Sequence, residues 1–146
     1  MLLGISPLLN ADVLHCLASM GHGDELVICD ANFPAKSVSS QTVLGTHLEV
    51  SADAISVLKA ILTVVPIDTF DAHVPAVRGM QVVDAPDEIP EFISDASLIT
   101  KACGSEISLV ERYAFYEQAK NSYAVIRSIE TRLYGNLILR KGVIQA

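Results

Sequence analysis

Residues 26–29 read LVIC, four apolar residues in a row with no polar residue between them. A strand with one wet face alternates polar and apolar residues. A short apolar run without alternation marks a strand buried on both faces. Such a strand belongs inside a largely parallel sheet with helices above and below it. The upstream flank agrees: Asn10 is placed to cap a helix, and Leu9 and Leu14 stand in hydrophobic-staple positions. Val13, Leu14, Leu17 and Ala18 make one stripe on that helix, and Gly21 stops it. Downstream, Asp30 closes the apolar run just before the turn residues ANFP.

The same reading extends along the chain. HLEV, residues 47–50, is a second strand, followed by a helix over 54–64 with Ile55, Leu58, Ile61 and Leu62 on one side. Residues 76–83 form a weaker strand, and DAPDEIPEF, residues 84–92, reads as a surface loop. Ser108 and Glu111 stand in the S-x-x-E relation of a capping box, which predicts a helix running to about Lys120. Residues 123–126 and 137–139 read as β segments joined by a turn that contains Tyr134, Gly135 and Asn136. Helices alternating with short apolar strands specify an α/β layered domain, and 146 residues without repeat or linker fit a single one, spanning 1–146.

Composition narrows the function. The chain is 51% apolar and only 18% charged, with a mean hydropathy of +0.42. That is more apolar surface than a small monomer hides easily, so a homo-oligomer is expected. The formal net charge of -7 argues against nucleic acid or an anionic membrane as partner, because phosphate contacts need clustered Lys and Arg. No segment approaches the roughly 18 apolar residues of a membrane span, and the first residues lack a basic leader, so a cytoplasmic location is expected. Cys16, Cys29 and Cys103 are too far apart and too apolar in setting for a zinc site, and read as packing.

Two ionisable groups flank LVIC. His22, between Gly21 and Gly23, has an unperturbed pKa of about 6.5, suited to moving protons near neutrality. A lone loop histidine is nevertheless more often a surface or capping group. Asp30 lies at the carboxyl end of the strand, where open α/β sheets hold ligands, although it also suits a turn cap. Asp68 in PIDTF has the same two readings, with an ordinary turn residue the favoured one. Arg112 and Tyr116 are four apart on one helical face and could line a polar pocket, or be a solvated face beside the core. Tyr134, Gly135 and Asn136 suit a tight turn in which glycine takes a positive φ. The glycines of GHG follow a helix and precede a strand, the reverse of a dinucleotide loop, and no P-loop, G-x-S-x-G elbow or metal-ligand spacing is present.

Taken together, GHGDE, DANFP, RYAFYE and YGNLILRKGV, set in stretches that span nearly the whole chain, resemble the RbsD/FucU family and within it the L-fucose mutarotase branch. The D-ribose pyranase branch differs around the first two motifs and lacks F-Y-E. The resemblance implies a three-layer α/β/α sandwich and a cofactor-free, metal-free isomerase that exchanges the α and β anomers of a monosaccharide, fucose. It also implies pentameric rings that pair as decamers, with sites at or near subunit contacts. By the same resemblance His22 is the proton donor, Asp68 an acidic site residue able to act as base, and Tyr116 a proton relay. Asp30, Arg112, Tyr134, Gly135 and Asn136 are then the sugar-binding set. A D-ribose pyranase and a non-catalytic sugar binder are the alternatives.

One geometric difficulty remains in the sequence. Eight extended residues span up to roughly 26–29 Å, so His22 and Asp30 touch one sugar only if the chain folds back around a short strand or a neighbouring subunit completes the pocket.

Overall fold

The strand predicted from LVIC is present, and each of its four residues is at most 2% exposed. It forms part of a computed structural model that describes residues 1–145. In chain order the elements are α1 (Ala11–Ser19), β1 (Glu25–Cys29), α2 (Ala35–Ser39), β2 (His47–Glu49) and α3 (Ala54–Leu62). Then come β3 (Val77–Met80), α4 (Glu91–Ala102), β4 (Ile107–Val110), α5 (Arg112–Lys120), β5 (Ala124–Arg127) and β6 (Leu137–Arg140).

The six strands make one sheet in the order β2-β5-β1-β6-β3-β4. β1 pairs parallel with β5 and antiparallel with β6; β2–β5 and β3–β4 are parallel and β3–β6 antiparallel. The sheet is therefore mixed, with β6 opposed to both of its neighbours. Alternate residues of each strand feed separate cores. Leu26 and Ile28 of β1 join Ile126, Leu137 and Leu139 against α1, α3 and α4. Val27 and Cys29 join Val125 and Ile138 against Phe115 and Ala119 of α5 and Val38 of α2. Helices on both faces give the expected three-layer α/β/α sandwich. Among the described residues no helix is long and apolar enough to cross a membrane.

The local signals vary in how they are realised. Asn10 caps α1 as expected, its Oδ1 accepting from the Val13 N–H at 3.0 Å. The helix expected over 54–64 ends at Leu62, and the weak strand over 76–83 shortens to β3. Ser108 opens no helix. It lies inside β4, and Glu111 alone caps α5, because cross-strand pairing with Arg78 holds Ser108 extended. The loop expected over 84–92 stops at Pro90. Glu91 and Phe92 begin α4, whose Ser, Asp and Thr content blurs its apolar stripe although Phe92 is fully buried. The short α2 and β4 also escape the sequence reading. Cys16 and Cys29 are buried, but Cys103 is exposed and does not pack. Finally, β5 and β6 form no hairpin. β1 lies between them, so their connection, residues 128–136, crosses the carboxyl end of β1.

Candidate active site

That crossing builds the site. Asp30 leaves β1 directly beneath the loop and is 5% exposed. The Asn136 side-chain amide donates to its Oδ2 at 2.8 Å, while the Asp30 N–H donates to Asn136 Oδ1 at 3.0 Å. The Asn32 N–H donates to the other carboxylate oxygen at 2.9 Å. Burial pushes the Asp30 carboxyl above its ordinary pKa, against the opposing donors of Asn32, Asn136, Phe33 and Gly135.

The turn tripeptide is organised differently from the expectation that its glycine takes the positive φ. Tyr134 carries it, at +60°, a costly conformation for a bulky residue. Gly135 is needed for space: a Cβ there would stand 2.7 Å from Glu130 Cγ and 3.2 Å from Asp30 Cβ. The glycine thus lets the loop settle onto Asp30, and the Tyr134 hydroxyl accepts from the Val83 N–H at 3.1 Å.

On the far side stands α5. The Glu111 carboxylate accepts from the Tyr113 and Ala114 N–H groups at 2.8 and 3.1 Å, which fixes where the helix begins and aligns Arg112 with Tyr116. The Arg112 guanidinium donates to the Tyr113 hydroxyl at 2.9 Å and lies 4.7 Å from that ring's centre. Its Nε is buried without a partner among the described residues. Burial raises the Tyr116 phenol above its ordinary pKa, with Arg112 opposing and Asp30 adding to the rise. The result is an open cavity of about 200 Å³ lined by Asp30, Asn32, Arg112, Tyr116, Tyr134 and Asn136, with Phe33, Met80 and Leu133 as apolar wall. Asn32 and Phe33 were legible as neighbours of Asp30; Met80 was read only as part of the strand expected over 76–83, and the structure makes it the last residue of β3. Leu133 carries no signal in the sequence.

His22 and Asp68 lie elsewhere. His22 Nε2 is 3.4 Å from Asp68 Oδ2, and the ring meets Phe70 edge-on at 6.0 Å between centroids. Asp68 is buried and fully engaged: Phe70 N–H donates to Oδ1 at 3.0 Å and Arg140 Nε to Oδ2 at 2.8 Å. The Phe70 N–H, helped by His22 and Arg140 against the cost of burial, lowers the Asp68 carboxyl below its ordinary pKa. Arg140 was missed in the sequence, where it is only a basic residue ending an apolar strand. This cluster sits at the amino end of β1 and the cavity at its carboxyl end. A rise of about 3.3 Å per residue puts roughly 13 Å of strand between them. Within one chain the eight expected residues therefore divide, with His22 and Asp68 at one end and the other six at the other.

The cavity's mixture of donors, acceptors and a carboxyl whose pKa is raised by burial suits a small polyhydroxylated molecule. The RbsD / FucU transport protein family model matches residues 3–144 of the chain. The fucose mutarotase of Danio rerio is 44% identical over 147 residues, covering 97% of this chain and 93% of that one. The L-fucose mutarotase of Histophilus somni is 39% identical, covering 98% and 97%. The solved fucose mutarotase of Streptococcus pneumoniae, in complex with L-fucose, superposes with a TM-score of 0.82 at 32% identity, covering 99% and 100%.

Proposed function

The chain belongs to the RbsD/FucU family, and from that premise we propose that it interconverts the α and β anomers of L-fucose. The observation that carries this reading is the convergence of Asp30, Arg112, Tyr116, Tyr134 and Asn136 on one cavity. The reaction needs only proton transfers and no cofactor. The anomeric O–H loses its proton, the ring oxygen gains one, and the C1–O5 bond breaks to give the aldehyde. Rotation about C1–C2 presents the other carbonyl face, and the reverse transfers close the ring. Positioned acids and bases supply about 10²–10⁴-fold each in such steps.

The surroundings of each group suggest its part. Asp30, with its proton affinity raised by burial, is the proton acceptor and hydroxyl anchor at the cavity. Tyr116, whose proton is held more tightly than usual, relays as the neutral phenol. Arg112, Tyr134 and Asn136 hold sugar hydroxyls. His22 is the donor. Asp68, locked onto Arg140 and the Phe70 N–H with a lowered pKa, orients the imidazole and is a poor base.

His22 reaches the sugar from a neighbouring copy in a homo-oligomer of the pentamer or decamer kind. Two features support this arrangement. The two half-sites stand at opposite ends of β1, and each is flanked by an exposed apolar side chain, Phe70 at 58% beside His22 and Leu133 at 70% at the cavity.

Saturation transfer between the α and β anomeric protons of L-fucose tests the assignment directly. Exchange faster than in buffer is expected, and folded protein that leaves the buffer rate unchanged overturns it. Acceleration of D-ribose pyranose–furanose exchange in preference to L-fucose would reassign the substrate. Saturable sugar binding with no exchange would make the protein a binder.

A further inference from the structure

The connection that carries Tyr134 and Asn136 is itself held by an ion cluster outside the cavity, centred on a buried carboxylate. Glu130 is 4% exposed, and both its carboxylate oxygens are occupied. Oε1 accepts from the N–H groups of Thr131 and Arg132, each at 3.0 Å, and from Arg132 Nε at 3.1 Å; Oε2 accepts from Arg132 Nη2 at 3.0 Å. Arg132 then reaches Asp95 on α4 at 2.8 Å, with its guanidinium 5.7 Å from the centre of the buried Phe92 ring. The Glu130 backbone carbonyl accepts from the Ala31 N–H at 2.9 Å, next to Asp30, and the Glu130 stem fills the space above Gly135. The brace therefore runs from α4 on one face of the sheet, around the carboxyl end of β1, to a cavity on the other face.

We infer that Glu130, clamped by Arg132, is a positioning residue that presses Gly135 and Asn136 onto Asp30 and holds Tyr134 at its positive φ. The inference rests on the mutarotase reading of this cavity for its functional meaning, although neither Glu130 nor Arg132 lines the cavity. A main-chain conformation as costly as that of Tyr134 persists only where its surroundings over-determine it, and the four hydrogen bonds to Glu130 do so two to four residues away. Arg132 holds the Glu130 carboxyl below its ordinary pKa, so the clamp stays charged near neutrality.

Two variants test this. Glu130→Gln keeps the shape and removes the charge, and Arg132→Met keeps the packing over Phe92 while removing the clamp. In both, the Asn136 and Gly135 donors should loosen from Asp30, so the Asp30 carboxyl, followed by ¹³C NMR in the sugar-free protein, should titrate at higher pH than in the parent. Among the other titratable groups around Asp30, Arg112 and Tyr116 of α5 and Cys29 of β1 are untouched by either change, and Tyr134 is carried on the loop that the clamp holds. The catalytic efficiency for L-fucose exchange should fall roughly tenfold or more, as misplaced binding groups cost. A purely structural role would lower Tm and leave the Asp30 titration where it was. The inference is overturned unless the titration and the efficiency both move in every variant that folds; if Glu130→Gln does not fold, Arg132→Met decides alone. Should the parent itself fail to accelerate exchange, the mutarotase reading falls, and the Asp30 titration still judges the clamp.

Discussion

A carboxylate's hold on its proton is set by its neighbours, and Asp30 and Asp68 are surrounded in opposite ways. Asp30 is chiefly desolvated and its pKa is raised; Asp68 is chiefly hydrogen-bonded by the Phe70 N–H and its pKa is lowered. Their contributions to stability must then run in opposite directions with pH. Asp68 contributes stability above the unfolded carboxylate value of about 3.9, and loses it as pH falls through its lower folded value. Asp68→Asn should therefore destabilise the protein near neutrality, with the gap to the parent closing in acid. Asp30 instead carries a penalty that grows as pH rises above that unfolded value and is complete above its raised folded value. Asp30→Asn should gain on the parent as pH rises. Thermal unfolding of both variants between pH 3 and 8 checks the two signs; parallel curves would show that the environments do not differ as described.

Elements decide how such residues are presented. α5 begins at Arg112 because the Glu111 carboxylate takes two of its unpaired N–H groups, and this cap aims both Arg112 and Tyr116 at the cavity. Glu111→Ala should cost about 1 kcal/mol of stability and also raise KM for L-fucose. Asn10→Ala removes the cap of α1, which lies away from the cavity, and should cost a similar ~1 kcal/mol with KM unchanged. Denaturant midpoints and exchange kinetics on the two variants separate presentation of the site from simple loss of helix. Asn10 was readable because its cap stands directly before a clean apolar stripe. Ser108 misled because S-x-x-E is a local pattern, whereas a strand pairing with residues thirty positions earlier takes precedence.

For the whole molecule, the division of the site along β1 gives a prediction that no single residue can. If His22 acts on a sugar held by another copy, His22→Ala and Asp30→Asn should each be nearly inactive alone. Oligomers reassembled from a mixture of the two should recover part of the parental exchange rate, because some interfaces then join an intact His22 to an intact Asp30. Saturation transfer on the refolded mixture measures this, and a mixture no faster than the separate variants rules out the shared site. The sequence by itself determined the layered α/β class, because an uninterrupted LVIC can be satisfied only by cover on both faces, and it also contained the residues of the candidate site. Only the tertiary structure decided that β1 lies between β5 and β6. Strand order depends on pairings between distant segments, and local periodicity carries no record of them. That order draws residues 128–136 across Asp30, makes Gly135 a matter of space instead of φ, and leaves His22 at the far end of the strand.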